Sequence, residues 1–149
     1  MKRVHMHIRV EDLDLSKQFY SGMLAAEPVI EKHDYARWEL SDPPLTLALS
    51  NHQGPLGIDH VGIKASSEEE LSELNANLQA ASIATADEKD AQCCYARSDK
   101  HWVQDPQNVV WEVYRTMDTI PVYGTDMGPL TAEEPAPEPE AKPKAERCC

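Results

Sequence analysis

The chain has 149 residues, enough for one domain or two small modules sharing a core, and its hydrophobic fraction of 41% is that of a globular protein. Its 14 basic and 26 acidic residues give a formal charge of −12, which argues against nucleic acid or an anionic membrane surface as partner. The start, "MKRVHMHIRV", lacks the apolar run of a signal peptide, and no apolar stretch is long enough to span a bilayer. The expectation is a cytoplasmic protein with reduced thiols.

Residues 4–10, "VHMHIRV", alternate as a strand does. Asp12 is placed to cap a helix, and Leu15, Phe19, Tyr20, Met23 and Leu24 supply its apolar stripe. Short strands are expected at about 27–32, 36–41 and 45–50, with a turn at Asp42-Pro43-Pro44. Residues 51–57, "NHQGPLG", link this unit to a second copy. There "IDHVGIKA" (58–65) reads as a strand. Ser67 and Glu70 form a capping box, followed by a helix with the stripe Leu71, Leu74 and Leu78. Strands then fall at about 82–88, 94–104 and 109–115, with Asp105-Pro106-Gln107-Asn108 as the matching turn.

The order is β-α-β-β-β, twice. It predicts an α+β domain over residues 1–120, made of a module at about 3–50 and another at about 58–116. Overlaying the copies sets His5 on His60 and Asp42-Pro43 on Asp105-Pro106. Residues 121–149 read as an extended, disordered, acidic, Pro-rich tail ending in Cys148-Cys149. That last pair is either an accidental terminus or an accessory soft-ion ligand.

Strand parity locates a candidate metal site. Val4, Met6, Ile8 and Val10 share one face of the first strand; His5, His7 and Arg9 share the other. His60 stands opposite the Val61, Ile63 and Ala65 face, and Glu112 shares a face with Val110 and Tyr114 in "VVWEVYR". If the sheet curls, His5, His60 and Glu112 converge from three strands. Two imidazoles and a carboxylate are the set of non-haem Fe(II) enzymes, and also suit Zn or Mn. A carboxylate amid apolar neighbours needs a partner. His7, on the same face, is the rival of His5. His33, His52 and His101 fall in or near turns and read as surface residues.

All four cysteines are in adjacent pairs. Neighbouring Cα atoms lie about 3.8 Å apart, whereas a disulfide wants roughly 4.4–6.8 Å, so a Cys93–Cys94 bond would be strained. A redox sensor, two buried small hydrophobes, or a chelate for a thiophilic atom remain open. Joint action requires a bent backbone there, because successive strand side chains point to opposite faces. Lys100 and Arg97 are placed either to lower the thiol pKa values and attract an oxyanion, or to be solvated strand charges. Tyr95 and Trp102 are placed either to wall an apolar pocket or to pack in the core.

The double pattern, with "VEDLDLSKQFYSGML" and "DPQNVVWEVYR", resembles the vicinal-oxygen-chelate superfamily of glyoxalases, extradiol dioxygenases and fosfomycin- and bleomycin-resistance proteins. Within it, "DYARWELSDPPLTLAL", "GIDHVGIKA", "CCYARSDKHWV" and "WEVYR" resemble the ArsI-type organoarsenical C–As lyases, with CadI proteins as near relatives. The resemblance covers residues 3 to about 116. It implies a cup-shaped mixed sheet holding Fe(II) on His5, His60 and Glu112, with Ni, Co, Mn or Zn as other possible occupants. It also implies that Cys93 and Cys94 bind a trivalent organoarsenical, such as methylarsenite or a reduced aromatic arsenical. With O2 as co-substrate the C–As bond would be cleaved to arsenite, in a monomer or homodimer. Two other functions stay open: a non-catalytic cadmium- or arsenic-binding protein, and a glyoxalase- or fosfomycin-type enzyme using a Lewis-acid metal.

Overall fold

The computed structural model of the chain describes residues 1–125. The first module runs β1 (Arg3–Arg9), α1 (Leu13–Leu24), β2 (Ile30–Glu31), β3 (Tyr35–Ser41) and β4 (Pro44–Ser50). The second repeats it as β5 (Gly57–Ala65), α2 (Glu68–Ala80), β6 (Ala86–Cys93), β7 (Ala96–Gln104) and β8 (Val110–Thr119), and β9 (Gly124–Thr125) follows. One mixed sheet joins them in the order β2-β3-β4-β1-β5-β8-β7-β6-β9. The modules meet where β1 runs antiparallel to β5, and each module pairs its first and last long strands in parallel, β1 with β4 and β5 with β8. The sheet curls into a cup with both helices outside. This is the α+β vicinal-oxygen-chelate fold.

Alternation separates the two faces of the sheet. In the first module Trp38, Leu47 and Leu49 are buried beneath α1 with Leu13, and the indole Nε1 donates to the Ala26 carbonyl at 3.1 Å. In the second, Ala65 and Val113 pack against Leu71, Leu74 and Leu78 of α2. The helix starts are those the sequence predicts. Asp12 accepts from the Leu15 amide at 2.9 Å, and Ser67 from the Glu70 amide at 3.2 Å. The α1 stripe differs from the expected one. Leu13, Tyr20 and Leu24 face the sheet, while Leu15, Phe19 and Met23 are about 60% exposed. The helix carries apolar residues on two opposite sides at 3.6-residue periodicity. The side that begins at Leu13 meets Trp38, and that contact sets the rotation.

His101 lies within β7 rather than in a turn, with Nδ1 2.7 Å from Asp87. Gly124 and Thr125, expected to belong to the tail, return to the sheet as β9, which pairs with Gln92 and Cys93. Cys148 and Cys149 lie outside the described residues. Among the described residues no helix is long and apolar enough to cross a membrane.

Candidate metal and thiol site

Register places the site. Across β1, β5 and β8, His5, Gly62 and Glu112 are paired in one row. The centre of that row has no side chain, and a Cβ at Gly62 would stand 1.9 Å from the Glu112 carbonyl oxygen. The gap lets His60, two residues along the same face of β5, reach the other two. His5 Nε2 lies 3.2 Å from His60 Nε2 and 3.5 Å from Glu112 Oε2, and His60 Nε2 lies 3.4 Å from that oxygen. All three residues are buried.

The triangle fits an ion. Donors about 2.1 Å from a common metal, at about 90–110° to one another, stand about 3.0–3.4 Å apart. The outer contacts aim the lone pairs inward. Asp59 Oδ2 takes the Nδ1 proton of His60 at 2.8 Å, and the Tyr114 hydroxyl lies 3.3 Å from His5 Nδ1. A carboxylate behind a ligating imidazole is the usual orienting partner. Asp59 is itself paired with Arg9 at 2.5 Å. Replacing Asp59 with Ala should weaken Co(II) or Zn(II) binding about 10–100-fold, measured by equilibrium dialysis.

Charges within the cluster are sorted. Burial pushes the Glu112 pKa up, but Lys100 and His60 outweigh it and hold the carboxylate well below its ordinary range. Lys100 Nζ grips Oε1 at 2.8 Å, leaving Oε2 for the imidazoles. Burial lowers His5 to about 3 in spite of Glu112, so it is a neutral ligand. Burial acts downward on His60 too, but Asp59 and Glu112 carry it up to about 9. Without a metal, a proton on His60 therefore supplies the positive charge that this donor set demands. His7, the rival of His5, points its Nε2 at Ser50 Oγ, 2.9 Å away, and is lowered to about 3 by burial and by His60. With Asp59 and His60 it forms a second cluster of donor atoms beside the first.

Cys93 and Cys94 line the same cavity as the triad. Cys93 pairs with Ala96 at the end of the β6–β7 hairpin, and Cys94 and Tyr95 form its two-residue turn with φ of 57° and 59°. Such left-handed residues twist the hairpin correctly and cost about 1–2 kcal/mol each outside glycine. The turn is held from outside. The Tyr95 hydroxyl donates to Asp34 at 2.5 Å, and Cys94 Sγ lies 3.6 Å from the Tyr123 hydroxyl. The bend puts the two sulfurs 2.8 Å apart without a disulfide. The Cys93 thiol lowers the Cys94 pKa by hydrogen bonding; burial opposes this, and Lys100 adds to the lowering. Alkylation of Cys94 by iodoacetamide, followed by mass spectrometry across pH, should therefore have its midpoint below that of an ordinary thiol.

Of the two roles open to Trp102, Tyr95 and Arg97, the structure gives the one away from the cavity. Trp102 is fully buried and sets its ring 5.1 Å from that of His60, so it positions a triad member and does not wall the cavity. Tyr95 faces Asp34. Arg97 is a solvated charge paired with Asp90 at 2.8 Å. The aromatic walls are Tyr35 and Tyr114, and Arg37 and Thr116 also line the cavity. Alternation along β3 and β8 puts these four on the concave face, which is the signal that could have found them.

No family model matches the chain. It is 36% identical over 152 residues to a trivalent organoarsenical cleaving enzyme of Bacillus sp. strain MD1, covering 100% of this chain and 91% of the relative. The chain belongs to that family. The chain is also 35% identical over 126 residues to the cadmium-induced protein CadI of Mycobacterium tuberculosis H37Rv, covering 84% of this chain and 83% of CadI. Among solved structures, homoprotocatechuate 2,3-dioxygenase from Brevibacterium fuscum superposes with a TM-score of 0.55 at 20% identity, over 80% of this chain and 33% of the dioxygenase. The Mn(II)-bound glyoxalase from Novosphingobium aromaticivorans gives 0.54 at 20% identity, over 86% and 44%. These two likenesses show that the chain shares the fold of both structures.

Proposed function

We propose that the protein cleaves the carbon–arsenic bond of trivalent organoarsenicals, using Fe(II) and O2. The observation that supports this reading is one cavity lined by both a His5–His60–Glu112 donor triangle and the reduced Cys93–Cys94 pair. Fe(II) on the triangle would supply the oxidative chemistry that no side chain can. The reaction balances without another reductant: methylarsenite and dioxygen give arsenite and formaldehyde. Arsenic stays trivalent, carbon loses four electrons and dioxygen accepts them.

The chain's own residues bind and orient. The thiol pair exchanges with arsenic-bound hydroxyls and releases water, fixing the metalloid at the hairpin turn. Lys100 keeps Glu112 ionised and holds its second oxygen away from the triangle. Tyr35 and Tyr114 enclose the organic group and limit water around it. Holding the C–As bond beside the triangle turns an encounter into an intramolecular step. The test is aerobic and anaerobic incubation of Fe(II)-loaded protein with methylarsenite, followed by arsenic speciation. Arsenite formed only in the presence of oxygen is expected; methylarsenite left unchanged in air, with iron bound and thiols reduced, would end the reading. The identity with CadI favours a second reading, in which the thiols sequester a soft ion without turnover.

A further inference from the structure

Arg37 is a partly buried cation on the cavity wall that the chemistry above does not use. It stands on β3 between Tyr35 and Glu39 on the concave face, and its side chain is 12% exposed. Its Nη2 reaches Glu39 Oε1 at 3.2 Å, but Lys64 Nζ already holds that oxygen at 2.6 Å. Arg3 acts on the same carboxylate. Elsewhere in the cup both carboxylates are already engaged, Glu112 by Lys100 and His60 and Asp59 by Arg9 and His60. Positive charge is therefore in excess at Arg37. Its Nε is buried and has no hydrogen-bond partner. Thr116, on β8, lines the same cavity, and its Oγ1 is likewise buried without a partner. Two polar groups from different strands thus stand unsatisfied around one space, which is costly unless a ligand completes them.

We propose that Arg37 and Thr116 form an anion subsite for a carboxylate or similar compact oxyanion carried by the organic substituent of the arsenical. The proposal rests on the reading above for the arsenic end of the ligand. Two thiols replace two arsenic-bound hydroxyls, two waters leave, and no oxidation state changes. That exchange leaves the arsenic end neutral, so a surplus cation in the cavity has no role with methylarsenite alone. It has one with a substituent that ends in an anion. The guanidinium offers a planar fork to a carboxylate, and the hydroxyl donates to the same group. The dry wall strengthens both contacts. Acidic organoarsenicals should accordingly be preferred over neutral ones.

Calorimetric titration of the reduced, metal-free chain with methylarsenite, ethylarsenite and carboxymethylarsenite tests this. The carboxymethyl compound should bind about tenfold tighter than either neutral one. Arg37→Met should abolish that preference while methylarsenite affinity stays within about twofold, and Thr116→Val should reduce it. Equal affinities in the wild type, or a preference that survives both substitutions, would overturn the subsite. If Arg37→Met no longer binds methylarsenite, Thr116→Val decides by the same criterion. Cys93→Ser/Cys94→Ser should lose all three ligands, and continued binding of the carboxymethyl compound at full strength would also overturn the proposal. A preference without turnover of the iron-loaded protein would remove the proposed function and leave the subsite standing. Turnover without a preference would do the reverse.

Discussion

Replacing Glu112 with Gln should lower carbon–arsenic cleavage at least about 10³-fold, roughly 4 kcal/mol of barrier, while methylarsenite still binds the thiols. The argument is geometric and electrostatic. Oε2 closes the donor triangle at 3.4 and 3.5 Å, and an amide offers there only a neutral oxygen or an N–H that repels a cation. The substitution also removes the ion pair that Lys100, only 4% exposed, makes with Glu112 at 2.8 Å. Breaking such a buried pair costs about 3–5 kcal/mol, so the thermal midpoint should fall as well. The double variant Lys100→Met/Glu112→Gln separates the two effects, because it removes both members of the buried pair and should regain stability without regaining activity. Metal content, arsenic speciation and calorimetry on the three proteins are the measurements. Resistance to methylarsenite that survives Glu112→Gln, with binding intact, would favour sequestration over catalysis.

Changing either Cys93 or Cys94 alone to Ser should weaken methylarsenite binding about 10²–10⁴-fold, nearly as much as changing both. A second thiol on the same turn acts at a high effective concentration, and the hairpin holds the sulfurs only 2.8 Å apart. The defect should appear mainly in KM, with kcat largely kept at saturating substrate, because the donor triangle is untouched. The ferrous protein should still take up metal normally. A single Ser variant with an unchanged KM would show that the arsenical is held elsewhere.

Much of the fold was legible because each module repeats the same alternations and the same cap chemistry. Asp12 and Ser67 begin their helices as the pattern predicts, and the parity of "HMHIRV", "IDHVGIKA" and "VVWEVYR" brings His5, His60 and Glu112 to one face. The rotation of α1 was not legible, because both sides of that helix carry apolar residues and only the position of Trp38 chooses between them. The hairpin turn was legible only as a bend: Cys-Tyr has no local preference for two left-handed residues. Its shape depends on distant partners, Asp34 and Tyr123, which local pattern does not reveal. Arg37 was hidden for a related reason. A strand arginine reads as solvated, and its surplus appears only when Lys64, from the other module, takes the carboxylate beside it.

The row His5–Gly62–Glu112 has a consequence for how the protein matures. Its members come from the first and last long strands and from the middle of the chain, so neither module alone contains the donor triangle. A partly synthesised or half-folded chain could offer its thiols but could not hold an ion beside them. Any chemistry that needs both is thereby withheld until the cup has closed. Once it has closed, each bound metal ion pulls the folding equilibrium toward the finished molecule.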